Sequence, residues 1–350
     1  MLHPSFKVFP QTADNKTMLP AHRPIILVVD DDRRKASLIE SYLKAHYSVI
    51  KAHSGEACLD LIKNENIDLA IIDVALPGIS GYDVCKKIKG NTSTRHIPVI
   101  LIPALATGRE KTRSIQVGAE DFIDKPFSMH EVVARTGSLL RIKQLQDKLK
   151  DAEDAFLHLA CALSRAAEAN EDATGKHIVR LNRYSVVLAE KLRMPEKFIQ
   201  DIGIAAQLHD VGKMHLNPDM LKKPGELSSE EFETVKQHPI YGAKILGEHP
   251  KLKMAHTIAL THHETWDGSG YPYGLKGDII PMEGRILNIA DQYDALRSAR
   301  PYKPAYSHEK TFRIITEGDG KTMPTHFDPA VLNAFMEVSG NMEEIYSDLQ

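Results

Sequence analysis

Three short apolar runs, IILVV at 25–29, LAIID at 69–73 and PVILI at 98–102, constrain the fold most strongly. Each is almost wholly aliphatic and shows no polar alternation, as expected of a strand buried on both faces of a parallel sheet. The first runs straight into Asp30, Asp31 and Asp32, and the second ends on Asp73. Helical spacing follows the first run through Leu38, Ile39, Tyr42 and Leu43. A second cycle passes from SVIKA to a helix around Ala57–Ile62, and DFIDKP sets Lys125 just beyond a last short strand. Strands alternating with helices predict an α/β domain, a doubly wound parallel five-stranded sheet. Functional groups in such sheets collect at the carboxyl ends of the strands. Asp30, Asp31, Asp73 and Lys125 all fall there.

The chain has 350 residues, enough for two domains of about 150 residues each. Residues 1–22, with Pro4, Pro10 and Pro20 among mixed polar residues, read as a loose extension. The first domain is assigned to 23–142, a connecting heptad helix to 143–165, and a second domain to 156–350. The connector follows from a proline-free stretch between Glu131 and Ala169. Its apolar residues Ile142, Leu145, Leu149, Ala152, Phe156, Leu159 and Leu163 alternate in steps of three and four. That is a heptad seam, which fits a homodimer through this helix; the alternative is a single amphipathic helix packed on its own domain. Beyond Ala169 the chain reads as all-α, with loops at Pro218–Gly225 and Asp267–Pro281.

A formal charge of −3 argues against a DNA-binding coat or a polybasic membrane anchor. No apolar run is long enough for a membrane span, and the N-terminus lacks an apolar signal core. Cys58, Cys85 and Cys161 are widely spaced and form no CxxC pair, so the expected compartment is the reducing cytoplasm.

Three carboxylates at adjacent strand ends repel one another unless a hard cation sits among them, and Mg²⁺ suits that oxygen environment. With a lysine to hold a phosphoryl oxygen, the pocket suits phosphorylation of one aspartate. VVDDD, IIDVALPGISGYDV and DFIDKPF over about residues 24–142 resemble the receiver domains of two-component response regulators. The resemblance implies that Asp73 is the phosphoacceptor for a sensor histidine kinase, that Asp30 and Asp31 help bind Mg²⁺, and that Lys125 contacts the phosphoryl group. Receivers carry Thr or Ser after the fourth strand; here that position is Pro103, which has neither hydroxyl nor N–H.

Of the 17 histidines most lie after position 150. HDVGK supplies His209 and Asp210 as adjacent nitrogen and oxygen donors, with Lys213 one turn on. A carboxylate can bridge two cations, which an imidazole cannot. His177, His238, the doublet His262-His263 and Asp291 are further candidate ligands. Mixed imidazole and carboxylate donors without thiolate fit divalent transition metals, Fe or Mn ahead of Zn or Ni. Two such metals about 3.5–4 Å apart suit phosphodiester hydrolysis. The glycine-rich segment HHETWDGSGYPYGLKGDIIPMEGRI follows HDVGK. Together with RPYK and THFDP, over about residues 156–340, these motifs resemble the HD-GYP family of HD phosphohydrolases.

This second resemblance implies an all-α output domain that hydrolyses cyclic di-GMP to linear pGpG, and onward to GMP in some cases. It implies metal ligation by His177, His209, Asp210, His238, His262, His263 and Asp291, with Asp210 bridging. Lys213, Arg300 and Lys303 would bind substrate. Family members with a third metal use a Glu four residues before the first histidine. Here that residue is Ala173, with Glu168 and Glu171 off the register, so two metals are expected. Two other classes of function fit the same residues: a dinucleotide sensor or protein-docking output with little turnover, and a hydrolase of another cyclic dinucleotide.

Overall fold

The computed structural model describes residues 23–103, 108–169, 175–223, 225, 227–299 and 304–349. It divides into two compact units, Met1–Asp151 and Ala152–Gln350.

In the first unit, β1 (Ile25–Val29), α1 (Arg33–Leu43), β2 (Ser48–Ala52), α2 (Gly55–Asn64), β3 (Leu69–Asp73), α3 (Gly81–Gly90), β4 (Val99–Ile102), α4 (Gly108–Gln116) and β5 (Asp121–Phe122) alternate along the chain. The five strands form one parallel sheet in the order β2-β1-β3-β4-β5. Asp32, Ser54 and Ser80 cap α1, α2 and α3, each side-chain oxygen accepting from a backbone N–H of the first turn. The central strands are buried on both faces, as their unbroken apolar runs require. One face packs with α2 and α3 through Cys58, Ile62, Val84, Cys85 and Ile88. The other packs with Ala36, Ile39 and Leu43 of α1 and with Val132 and Leu140 from the start of α5 (Met129–Glu168). The β1–β3 register pairs Val29 with Ile72. The next residues, Asp30 and Asp73, therefore emerge side by side at the carboxyl edge.

α5 takes the whole proline-free stretch as one helix of 40 residues. Along its length the seam residues Ile142, Leu145, Leu149 and Leu159 are 51%, 59%, 58% and 70% exposed, so they are left largely uncovered by the described residues. In the second unit α5 instead buries a different face, through Ala160, Ser164, Ala167 and Glu168, with Leu163 partly packed on the core.

The second unit is all-helical among its described residues: α6 (Lys176–Lys191), α7 (Glu196–Ala206), α8 (Pro218–Leu221), α9 (Ser229–Val235), α10 (His238–Leu246), α11 (Lys253–Thr261), α12 (Met282–Arg297), α13 (His308–Glu317) and α14 (Pro329–Asp348). A 3₁₀ turn, Val211–His215, separates α7 from α8. Tyr184 of α6, Tyr293 of α12 and Phe335 of α14 anchor the core, the two tyrosine rings meeting edge to face at 5.4 Å. Among the described residues no helix is long and apolar enough to cross a membrane.

Candidate metal centre

The apolar side of α7, Ile202, Ala205 and Ala206, buries the helix so that the chain leaves it deep in the unit, at His209 and Asp210. The 3₁₀ turn that follows lies hard against the start of α10. A Cβ on Gly212 would overlap the His238 carbonyl and the Gly242 nitrogen. Only glycine permits this approach, and the approach brings Asp210 to His238. The doublet His262-His263 follows α11, and α12 fixes it: Asn288 Nδ2 donates to the carbonyls of His262 (3.1 Å) and Glu264 (3.2 Å). The buried Glu264 carboxylate then accepts the backbone N–H groups of Tyr273 and Leu275, each at 2.8 Å, and ties down the glycine-rich loop. Gly270 sits against the backbone of His263 to Thr265, where a Cβ has no room. The loop places the Tyr271 ring in a stack on His263, with centroids 4.7 Å apart.

Four of the five histidines share one polarity. Nδ1 of His209 faces the Ala206 carbonyl at 2.9 Å, Nδ1 of His238 faces the Val235 carbonyl at 2.7 Å, and Nδ1 of His262 faces the Ile258 carbonyl at 3.0 Å. Nδ1 of His177 faces the Asp294 carboxylate at 2.7 Å. Those oxygens only accept, so Nδ1 carries the proton and each Nε2 turns inward, the arrangement of metal-binding imidazoles. Nε2 of His238 and Nε2 of His262 are 3.3 Å apart. With both Nδ1 atoms already donating, two lone pairs at that distance require a shared proton or a cation.

Asp210 stands between two groups of donors. Its Oδ1 is 3.1 Å from His238 Nε2 and 3.6 Å from His262 Nε2, while Oδ2 is 3.1 Å from His209 Nε2 and 2.7 Å from Lys213 Nζ. The donor atoms of Asp210, His238, His262 and His263 lie within 4.8 Å of one another, and so do those of Glu168, His177 and His209. Asp291 Oδ1 approaches His177 Nε2 at 3.7 Å. Four buried atoms here have no hydrogen-bond partner among the described residues: both oxygens of Glu168, His209 Nε2 and Asp210 Oδ1. Buried polar atoms are rarely left unmatched, and their convergence with nitrogen and oxygen donors fits divalent cations.

The electrostatics agree. Burial opposes ionisation of Asp210, but His209 and Lys213 beside it hold the carboxyl well below the usual range. Burial depresses His263 strongly, helped by His262 and His238, and depresses His262 as well, so these imidazoles are held neutral. For His177 burial also opposes the charge, yet the Asp294 carboxylate, with Glu168 and Asp291, outweighs it and lifts the imidazole to about 10. A cation entering there must displace that proton.

The structure thus brings together His177, His209, Asp210, Lys213, His238, His262, His263 and Asp291. Arg300, Lys303 and Ala173 lie outside the described residues. Sequence reasoning set Glu168 aside as out of register, whereas the end of α5 aims it into the centre. It also missed Asp294, which takes Nδ1 of His177 and, in two short bonds, the buried Arg180 guanidinium (2.6 and 2.7 Å). The available signal was the spacing of Asp294 one helical turn after Asp291.

At the sheet edge of the first unit, Asp30, Asp31 and Asp73 present oxygens within 4.8 Å of one another. Lys125 Nζ is 2.5 Å from Asp73 Oδ2, and Asp73 Oδ1 accepts from the Ala75 N–H at 3.1 Å. Burial, opposed by the Asp32 N–H and reinforced by the Asp73 charge, pushes the Asp30 carboxyl up to about 6. A cation among these oxygens would relieve that penalty. Pro103 follows β4 directly and is buried.

Fold and site together define a receiver followed by a helical metal-dependent phosphohydrolase. Family models match residues 26–136 as a response regulator receiver domain and residues 161–331 as an HD domain. A probable cyclic di-GMP phosphodiesterase of Vibrio cholerae is 35% identical, over 91% of this chain and 79% of that protein. A cyclic di-GMP phosphodiesterase of Thermotoga maritima is 36% identical, over 92% of each chain. The cyclic di-GMP phosphodiesterase response regulator RpfG of Xanthomonas campestris is 30% identical, over 91% of this chain and 89% of its own. The chain belongs to the response regulators that carry an HD-GYP phosphohydrolase output domain.

Proposed function

We propose that the second unit hydrolyses cyclic di-GMP to linear pGpG at a dinuclear centre of Fe or Mn, with Zn or Ni as substitutes. The observation that carries this reading is Asp210, with one oxygen turned to each donor group and the Nε2 atoms converging on it. The names and high coverage of the relatives support the substrate. His238, His262 and His263 would hold one ion, His177, His209 and Asp291 the other, with Asp210 shared. Ions bound there would supply Lewis acidity and an activated water for attack on phosphorus. Lys213, held at the centre by Asp210, is placed to neutralise a phosphate oxygen as negative charge develops. Arg300 and Lys303 would bind the rest of the substrate. Glu264 and Asn288 keep the doublet and the Tyr271 loop rigid, so the donors need no rearrangement when substrate enters.

In the first unit Asp73 would accept a phosphoryl group from a histidine kinase, with Mg²⁺ on Asp30 and Asp31 and Lys125 on the phosphoryl oxygen. The exposed seam of α5 would pair with a second copy in a parallel dimer. With Pro103 in place of a hydroxyl, that dimer would form without phosphorylation and Asp73 would modulate turnover only modestly.

The test is Asp210→Ala, assayed for hydrolysis of cyclic di-GMP and for bound metal. The expected outcome is loss of both; near wild-type turnover with full metal content refutes the dinuclear reading. Metal-loaded wild type that binds cyclic di-GMP without cleaving it would identify a sensor instead.

A further inference from the structure

α5 stops at Glu168, and α6 starts at Lys176 behind Gly175, whose φ of 65° is left-handed. The two helix ends lie together, so Glu168 and His177 point at one spot although they are not helical neighbours. Glu168 is 3% exposed. Its Oε1 lies 4.0 Å from His177 Nε2, too far for a hydrogen bond, and neither of its oxygens has a hydrogen-bond partner among the described residues. His209 Nε2, in the same donor group, has none either.

A protonated His177 at 4.0 Å offsets only part of the cost of an ionised carboxylate there, because no hydrogen bond satisfies its oxygens. A neutral carboxyl group solves little, because its O–H then needs an acceptor and its carbonyl a donor. Two imidazole nitrogens and a carboxylate oxygen within 4.8 Å of one another are the donors a divalent transition metal takes. The spacing is that of ligands around one ion, not of a hydrogen-bonded cluster.

We propose that Glu168 is a metal ligand, giving its carboxylate to the ion held by His177 and His209. This rests on the metal-centre reading above and extends it by a residue that the four-residue register before His177 does not include. It adds no third ion: Glu168 completes the second donor group of a two-metal centre. It also gives α5 a direct hold on the centre, since the helix that contributes Glu168 begins at Met129 in the first unit.

The experiment uses the full-length chain, stripped with chelator and reloaded anaerobically with Mn²⁺. Metal per chain is counted by mass spectrometry of the dialysed protein, and each equivalent's affinity is measured by equilibrium dialysis with EPR detection of free Mn²⁺. Glu168→Gln keeps the size and removes the charge. The expected result is two equivalents in wild type and, in E168Q, one equivalent weakened at least about tenfold while the other is kept. His177→Ala should weaken the same equivalent. Two equivalents at wild-type affinity in E168Q would overturn the assignment and leave Glu168 a buried neutral acid. Should E168Q not fold by circular dichroism, anomalous scattering from Mn²⁺-loaded wild-type crystals decides the matter, since Glu168 either is or is not within bonding distance of an ion. Wild type that loads two equivalents but leaves cyclic di-GMP intact would refute the proposed substrate and leave the Glu168 assignment standing.

Discussion

Replacing Asp294 by asparagine should damage the second unit twice, once in stability and once in metal affinity. Asp294 is 1% exposed and accepts from Arg180 Nε at 2.6 Å, Arg180 Nη2 at 2.7 Å and His177 Nδ1 at 2.7 Å. Asparagine keeps the volume, removes the charge and turns one acceptor into a donor. Arg180, whose side chain is 7% exposed, is left charged and buried without its counter-ion. Breaking such a pair from one side costs about 3–5 kcal/mol. The unit Ala152–Gln350 has 199 residues. At that size each kcal/mol moves Tm by roughly 2–4 °C, so the expected fall is about 6–20 °C. His177 also loses the group that fixes its proton on Nδ1, and metal affinity should drop about 10–100-fold. Calorimetry of the full chain, with and without chelator, reads the first effect, and Mn²⁺ titration the second. Arg180→Met in the D294N background should restore much of the stability, because the stranded charge is gone. A Tm within about 2 °C of wild type together with unchanged Mn²⁺ affinity would show that the triad orders nothing.

Gly212→Ala should cut hydrolysis and metal content together, because the new methyl group meets backbone atoms of α10 that cannot yield without moving His238 from Asp210. The overpacking should cost about 1–3 kcal/mol, measurable by urea unfolding, and an unperturbed active enzyme would refute the close-approach argument. Leu145→Lys with Leu149→Lys places like charges on the exposed seam of α5 and should convert a dimer to a monomer in light scattering. A monomeric wild type, or a large activation by acetyl phosphate that disappears in Asp73→Asn, would refute the constitutive dimer.

Much of this molecule could be read locally. A strand buried on both faces must be apolar without interruption, so IILVV, LAIID and PVILI announced a parallel sheet. Strand ends in such a sheet are adjacent, so Asp30, Asp73 and Lys125 were legible as one pocket. HDVGK and the histidine doublet were legible because chemistry-bearing side chains are unusual on helices otherwise patterned for a core.

Tertiary structure decided what sequence spacing does not carry. Periodicity says which residues share a helix face, not what covers that face. On α5 the second unit covers Ala160, Ser164, Ala167 and Glu168, while the more conspicuous seam of Leu145, Leu149 and Leu159 stays in solvent. Glu168 was discounted because helical register was the only ruler available, yet tertiary packing set the end of α5 beside His177 of α6. Asp294 and Arg180 meet only because α12 packs on α6, and Asn288 reaches the doublet only because α12 also packs on α11. The inward direction of Nε2 in His177, His209, His238 and His262 is likewise imposed from outside the imidazole, by a carbonyl or carboxylate that captures Nδ1. A sequence states which donors exist; packing fixes which atom of each faces the ion, because only neighbouring elements can satisfy the other side of the ring.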